Sequence, residues 1–241
     1  MSVTSRYRAA WERFWQEVPD EPGAALWDAE PAVTARLHLA LFRPHLADPE
    51  LPLVDLGCGN GTQTRFLAEH FPRVVGADLS SAALAHARHA DPAGLARYRQ
   101  LDAADKAETG TLHTELGDAN VYLRGVIHQC EPDDRQPFAD AVAALVGTRG
   151  RAFVVELAEA AGAALQSMAT SAAGPPAKLA PVLRHGIAPA EVTDAALPAY
   201  LRAAGLTVLA SGELPLTTTE EGPDGAPIQL PSRWLVAGRA G

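Results

Sequence analysis

The sequence predicts an α/β protein whose mostly parallel sheet carries helices on both faces. Apolar segments that resemble strands alternate with segments of helical periodicity, which is the pattern of such a fold. Residues 51–56 are apolar without alternation, as in a strand that is buried on both faces. A glycine-rich turn at residues 57–61 then leads into a predicted helix, which completes a strand–turn–helix unit.

Composition limits the kind of protein and its partners. The chain has 241 residues, of which 47% are hydrophobic, and this is enough for one large domain with a substantial core. Its formal net charge is −9 and it has no run of Lys or Arg, so we expect neither nucleic acid nor an anionic membrane as partner. The start lacks the apolar run of a signal peptide and no segment is long enough to span a bilayer, so we expect a cytoplasmic protein.

The N-terminal region is predicted to be helical. Tyr7, Trp11, Phe14 and Val18 recur at helical spacing and predict a helix over residues 5–18. A segment rich in Pro and Gly ends it, and a second helix is predicted over residues 31–46. We interpret residues 1–48 as a helical lid on a main domain of residues 49–241, although these helices could equally be packed permanently on the domain.

The main domain alternates between strands and helices. Strands are predicted at residues 51–56, 73–77, 96–101, 119–127, 150–157, 206–214 and 233–238. Helices are predicted at residues 62–70, 80–90 and 133–146, with Ser80 as an N-cap, whereas residues 105–116 show no clear pattern. Residues 159–198 are too long for an ordinary connection, so they are predicted to be an insertion that forms part of a substrate cover or a surface excursion.

The glycine-rich turn is the first candidate site. Gly57, Gly59 and Gly61 let the backbone turn sharply and let a ligand approach without a Cβ in the way. Their spacing differs from the dinucleotide-binding Gly-x-Gly-x-x-Gly pattern. Cys58 lies inside the turn, where a small buried side chain fits. A tight turn that serves packing alone is the alternative interpretation.

Two carboxylates flank this turn. Asp55 stands at the end of the strand before the turn, where it suits a ligand that carries an ammonium group. Asp78 ends the next strand, where an acid can accept hydrogen bonds from both hydroxyls of a ribose. Asp78 is also placed to cap the following helix. The pair predicts an adenosine-containing ligand.

The sequence resembles the class I S-adenosylmethionine-dependent methyltransferases. Residues 54–61 resemble the first motif of that family, residues 76–80 the second, residues 101–103 the third-strand acid and residues 120–128 the fourth-strand motif. The resemblance implies a Rossmann-like seven-stranded sheet with an antiparallel last strand and S-adenosyl-L-methionine as cofactor. It places the cofactor against Trp27, Asp55, Gly57, Cys58, Gly59, Gly61, Asp78, Leu79, Asp102, Ala103 and Arg124. Asn120 stands near the position where many members have an acid, and Asp102 could instead be a strand-end turn residue.

His128 is the candidate catalytic base. It follows the fourth strand at the edge where ligands bind, and imidazole changes its charge near neutral pH. A role in the pocket wall is the alternative. Arg124, inside an apolar strand, is predicted to face the cofactor carboxylate, an anionic substrate or backbone carbonyls. Trp11, Trp15, His128, Glu156 and His185 are the candidates for substrate contact.

These features predict methyl transfer to a small molecule, a metabolite or natural-product intermediate, by a monomer or homodimer. The strand ends lack the acid cluster that metal-assisted methyl transfer uses, so no metal is expected. The alternative hypothesis keeps the fold and the nucleoside but replaces methylation by ring closure, elimination or a non-catalytic role.

Overall fold

A computed structural model describes residues 3–171, 174–187, 192–222 and 224–240, with side chains from residue 7 onward. A seven-stranded sheet with the order β3-β2-β1-β4-β5-β9-β6 forms its centre. Its strands are β1 (Leu53–Leu56), β2 (Val74–Asp78), β3 (Arg97–Gln100), β4 (Asn120–Arg124), β5 (Ala152–Leu157), β6 (Thr207–Glu213) and β9 (Ser232–Gly238). The last strand, β9, pairs antiparallel with both β5 and β6, and the pairs among β1 to β5 are parallel. The predicted fold class is confirmed.

Helices cover both faces of the sheet. They are α1 (Val3–Glu17), α2 (Ala35–Phe42), α3 (Thr62–Ala68), α4 (Ser81–His89), α5 (Lys106–Leu116), α6 (Pro132–Val146), α7 (Ala161–Ala169), α8 (Leu179–Arg184) and α9 (Ala196–Ala203). Side chains of α5, α6 and α9 bury one face of the sheet, and side chains of α2 and α3 bury the other. All four residues of β1 are buried, as their continuous apolar pattern predicts.

The structure divides the predicted second helix into three pieces. A 3₁₀ turn covers Pro31–Val33, α2 follows, and a second 3₁₀ turn covers Arg43–His45. Thr34 separates the first two because its backbone is not helical and its hydroxyl has the Glu30 carbonyl and Gln63 Oε1 as hydrogen-bond acceptors within reach. Pro44 lies in the last turn, where its ring and its missing N–H prevent a longer α-helix.

Helix α5 and a small hairpin have no clear signal in the sequence pattern. Asp105 caps α5 by accepting from the amides of Ala107 and Glu108, but only Thr109 and Leu112 of this helix are buried, so its apolar stripe is narrow. Strands β7 (Leu216–Glu221) and β8 (Pro227–Leu230) form a separate antiparallel pair.

The predicted insertion contributes α7 and α8 and the start of α9, and its residues 172–173 and 188–191 lie outside the described residues. No helix in the described ranges has both the length and the apolar character needed to cross a bilayer. Across the same ranges, His, Cys, Asp and Glu side chains do not form a group of three that could hold a metal ion.

Candidate active site

A cavity of about 200 Å³ lies at the carboxyl ends of β1, β2 and β4. The strand order reverses between β1 and β4, and this is the position where open α/β sheets bind their ligands. Twelve of the residues singled out in the sequence line this cavity: Trp11, Trp15, Trp27, Asp55, Gly57, Cys58, Gly59, Asp78, Leu79, Ala103, Arg124 and His128. Elements far apart in the sequence therefore meet at one site.

The glycine turn is shaped by close packing on one side and by Asp78 on the other. Gly57 and Gly59 have φ angles of 79° and 55°, a left-handed region that favours glycine. A Cβ at Gly57 would lie 2.4 Å from Cγ2 of Val126, which is too close for any other residue. The amide of Gly59 donates to Asp78 Oδ2 over 2.8 Å. The turn is thus fixed with bare backbone toward the cavity.

Asp78 holds both the turn and the start of α4. Its Oδ1 accepts from the amide of Ser80 over 2.9 Å, and Ser80 itself caps α4 through its hydroxyl, as predicted. Burial raises the pKa of Asp78, against the hydrogen bonds from Ser80 and Gly59. Each carboxylate oxygen keeps a further lone pair for a donor in the cavity.

Asp55 and Arg124 lie at the ends of the neighbouring strands β1 and β4. Asp55 is 3% exposed, and its Oδ2 accepts from the Thr64 hydroxyl over 2.5 Å. Burial raises the pKa of Asp55 to about 6, although Thr64 and Arg124 act in the opposite direction. Arg124 Nη2 donates to the carbonyl of Trp27 over 2.9 Å, whereas its buried Nη1 has no partner among the described residues. This donor can bind an anionic group of a ligand.

His128 lines the cavity and forms a buried pair with Glu156, which lies behind it. Nδ1 of His128 lies 2.5 Å from Glu156 Oε2, and the Glu156 carboxylate also accepts from the amides of Val126, Ile127 and His128. Because a carboxylate accepts hydrogen bonds, this contact assigns the imidazole proton to Nδ1. The other ring nitrogen, Nε2, is then an acceptor.

A short hydrogen-bond chain reaches that acceptor nitrogen. The Tyr7 hydroxyl donates to Gln129 Oε1 over 3.1 Å, and the Gln129 amide lies 2.9 Å from His128 Nε2. Tyr7, Gln129 and His128 all line the cavity. A ligand that carries an O–H or S–H group can replace the Gln129 amide as the hydrogen-bond donor to Nε2.

Helix α1 closes the cavity from above. The rings of Trp11, Phe14 and Trp15 surround Trp27, with ring centroids 5.3 to 6.3 Å from it. Glu12 of the same helix accepts hydrogen bonds from the hydroxyls of Ser80 and Ser81 at the start of α4. Partial burial alone would raise the pKa of Glu12, but these hydrogen bonds lower it.

Four of the singled-out residues lie beside the cavity. Gly61 packs against Ala87 and Tyr98, where a Cβ would meet both at 3.0 Å. Asp102 has the contacts of a strand-end turn residue, because its carboxylate accepts from the Ala104 amide and pairs with Arg8 at 3.0 Å. Glu156 faces His128 and the backbone instead of a substrate.

His185 is the fourth residue that does not line the cavity. Its Nε2 lies 2.6 Å from a carboxylate oxygen of Glu17, and its ring contacts Phe14 edge-on. Arg184 pairs with the same carboxylate. These contacts fasten the end of α1 to α8, so His185 supports the cover of the cavity from outside.

Sequence reasoning missed several residues that line the cavity. Tyr7, which belongs to the helical stripe of α1, and Gln129, which directly follows the candidate base His128, both line the cavity. Leu179, Leu216 and Leu230 belong to α8 and to the β7–β8 hairpin, which single-sequence patterns do not place over the sheet edge. The one signal for Gln129 was that the second ring nitrogen of His128 needs a hydrogen-bond partner.

The site fits an adenosyl amino acid better than a dinucleotide. Its carboxylates suit hydroxyl and ammonium donors, and the unpartnered Nη1 of Arg124 suits a carboxylate. A pyrophosphate would be held by the amides of the glycine turn, but here the Gly59 amide donates to Asp78, and the carboxylates of Asp55 and Asp78 would repel the phosphates. Fold and site together define an α/β protein that binds an adenosyl amino acid at its topological switch point.

Comparisons with known proteins agree with this class. A family model described as a methyltransferase domain matches residues 53–150. The structure of a SAM-dependent methyltransferase from Anabaena variabilis is 30% identical, with a TM-score of 0.89 over 100% of this chain and 96% of that chain. The N-methyltransferase NodS from Bradyrhizobium japonicum, solved with S-adenosyl-L-homocysteine, is 14% identical and shares the fold, with a TM-score of 0.60 over 98% of this chain and 100% of that chain.

Curated relatives match a shorter region. A trans-aconitate 2-methyltransferase from Acidovorax ebreus is 41% identical over 108 residues, which are 41% of this chain and 40% of that protein. A protein of the same name from another Acidovorax strain is 48% identical over 76 residues, which are 31% of this chain and 28% of that protein. The match thus spans less than half the length of these relatives. The chain belongs to the class I S-adenosylmethionine-dependent methyltransferase family.

Proposed function

We propose that the protein transfers a methyl group from S-adenosylmethionine to a small molecule. The observation that carries the proposal is the presence of Asp55, Asp78 and His128 around one cavity at the switch point of the sheet. When bound, S-adenosylmethionine supplies a methyl group on a positively charged sulfur. The task of the protein is then to orient two molecules in one closed space, which accounts for much of the rate gain in such reactions.

Each polar group of the cavity has a proposed partner on the cofactor. Asp78 binds the ribose hydroxyls through the lone pairs left by Gly59 and Ser80. Asp55 pairs with the ammonium group, and Nη1 of Arg124 with the carboxylate, of the methionine part. Leu79 and Ala103 flank the adenine, and Asp102 contributes to this end of the site as the family resemblance implies.

The N-terminal region serves as a lid. Helix α1 and Trp27 cover the cavity, and the contacts of Glu12 with α4 and of Glu17 with α8 hold the lid in place. A ligand enters when these contacts open. Exclusion of water from the closed site strengthens each electrostatic contact inside it.

His128 accepts the proton of the methyl acceptor. Glu156 keeps the imidazole proton on Nδ1, so that Nε2 presents its lone pair to the acceptor group in place of the Gln129 amide. The carboxylate also stabilises the imidazolium that forms, because the two groups are within 2.5 Å in a buried setting. Glu156 is therefore a positioning residue for His128.

The test combines a binding and a transfer measurement. Calorimetry should show S-adenosylhomocysteine binding to the protein, with affinity reduced about tenfold or more by Asp78→Asn and unchanged by Asp118→Asn. Asp118 is a matched control because it binds Thr148 and Arg149 at the opposite edge of the sheet. Transfer of a labelled methyl group to a panel of small molecules should require His128. Absence of binding, or binding without any labelled product, would refute the proposal.

A further inference from the structure

One side of the cavity has an apolar wall. It consists of side chains from the end of β5, from α7 and α8, and from the β7–β8 hairpin: Leu157, Leu165, Leu179, Val182, Leu216 and Leu230. Four of these six are 3 to 7% exposed, so they form a packed surface and not a fringe of mobile side chains. Trp11 and Trp27 pack against the same wall through Leu179 and Val182.

The charges around the cavity disfavour an anionic guest. Among the described residues, four aspartates line it, namely Asp28, Asp55, Asp78 and Asp134, against the single guanidinium of Arg124. Arg124 acts electrostatically on Asp55 and donates to the Trp27 carbonyl, and the proposed function uses its remaining buried donor for the carboxylate of the cofactor. A carboxylate placed against the apolar wall would lose its hydration without gaining a cationic partner among the described residues.

The cavity lining also carries polar side chains that can meet a second ligand. Tyr7, Gln129 and His128 form the hydrogen-bond chain described above, and Thr218 has its hydroxyl 3.3 Å from the Glu220 carbonyl. Of these, the Nε2 atom of His128 is the one proton acceptor held ready by a buried carboxylate. The wall therefore favours an apolar ligand, and His128 favours one O–H or S–H group on that ligand as its hydrogen-bond donor.

We infer that the methyl acceptor is an uncharged, apolar molecule that carries one O–H or S–H nucleophile, such as a phenol or an alkyl thiol. The inference deepens the proposed function and rests on it. In the transfer, the acceptor oxygen or sulfur forms a bond to the methyl carbon, the bond between that carbon and the sulfonium sulfur breaks, and its electron pair stays on sulfur. The proton of the acceptor passes to Nε2 of His128. A tricarboxylate such as trans-aconitate, named in the curated relatives, does not fit this wall.

The test measures binding of matched probes to protein saturated with S-adenosylhomocysteine. Calorimetry compares 2-naphthol and 2-naphthylmethanethiol, both uncharged at neutral pH, with 2-naphthoate, which has the same ring system but a full negative charge, and with trans-aconitate. The uncharged probes should bind about tenfold or more tightly than 2-naphthoate, and trans-aconitate should give no binding signal. Equal or tighter binding of either anion, or no binding of the uncharged probes, would overturn the inference.

Two variants locate the effect. Leu216→Arg should weaken binding of 2-naphthol at least about tenfold and strengthen that of 2-naphthoate, because it adds a cation to the apolar wall. Leu183→Arg is the control, since Leu183 lies beside Val182 on α8 but is 38% exposed. It should leave both affinities unchanged.

The control measurement separates this inference from the function. S-adenosylhomocysteine binding is measured first for each variant and shows that the fold and the cofactor site are intact. Absence of S-adenosylhomocysteine binding by the unmodified protein would refute the proposed function itself. Intact cofactor binding together with a preference for anions would refute only the acceptor class.

Discussion

Replacing Asp55 by Asn should stabilise the protein in a pH-dependent way. Asp55 is almost completely buried, and burial raises its pKa to about 6, against 3.8 for an ordinary Asp. The folded state thus binds this proton more tightly than the unfolded state, so the free energy of unfolding falls as the pH rises from about 4 through about 6. The separation of the two pKa values corresponds to about 3 kcal/mol at neutral pH.

The asparagine removes this titration but keeps the local contact. Its Oδ1 atom can accept from the Thr64 hydroxyl as Asp55 does. Relative to the unmodified protein, the Asp55→Asn variant should therefore gain about 2 to 3 kcal/mol between about pH 4 and about pH 7.5. The same change should weaken binding of S-adenosylmethionine, because the ammonium group loses its anionic partner.

Urea unfolding followed by tryptophan fluorescence across this pH range measures the difference between the two proteins. Asp118→Asn is a control of opposite sign. Hydrogen bonds from Thr148 and His113 outweigh the effect of burial and lower the pKa of Asp118 to about 2. Its contribution to stability is lost only below about pH 4, so Asp118→Asn should cost stability, not add it, throughout the range. A difference for Asp55→Asn that does not grow as the pH rises would refute the assigned burial of that carboxylate.

Three further changes test the site. Asp78→Asn should cost about 1 to 3 kcal/mol of stability, because one of two backbone donors loses its acceptor, and calorimetry should show a weaker affinity for S-adenosylhomocysteine. An unchanged affinity would remove the ribose assignment. Glu156→Gln should lower kcat about 30- to 150-fold and shift the pH profile of kcat, because His128 loses a charge-assisted hydrogen bond. An equal loss of cofactor affinity would show that the pair is structural only. Glu12→Ala should accelerate release of S-adenosylhomocysteine several-fold in stopped-flow fluorescence, because α1 loses its hold on α4, and an unchanged rate would argue against a lid.

The cofactor half of the site was predictable because local sequence determines it. Gly57, Gly59, Asp55 and Asp78 lie within one strand–turn–helix–strand unit, where chain connectivity alone brings them to one edge of the sheet. Alternating apolar and helical segments likewise predicted the mostly parallel sheet with helices on both faces. Arg124 lines the cavity, and the sequence left its partner open between a ligand and a backbone carbonyl. The structure shows a hydrogen bond to the Trp27 carbonyl and one unpartnered donor among the described residues.

The acceptor half of the site was not predictable because its parts come from distant segments. Leu179, Leu216 and Tyr7 meet only after α8, the hairpin and α1 have packed together, and none of these contacts has a periodic signal. Glu156 and His185 were proposed to touch the substrate because of their strand-end and insertion positions. The structure instead pairs each of them within the protein: Glu156 with the imidazole of His128, and His185 with the carboxylate of Glu17. A buried charge or polar ring is stable only when it has such a partner.

A crystal structure with S-adenosylhomocysteine bound would test the central claim most directly. We predict that the ribose hydroxyls contact Asp78, that the amino acid part reaches Asp55 and Nη1 of Arg124, and that the sulfur faces the space between His128 and the apolar wall. A nucleoside found outside this cavity, or with its ribose away from Asp78, would contradict the account.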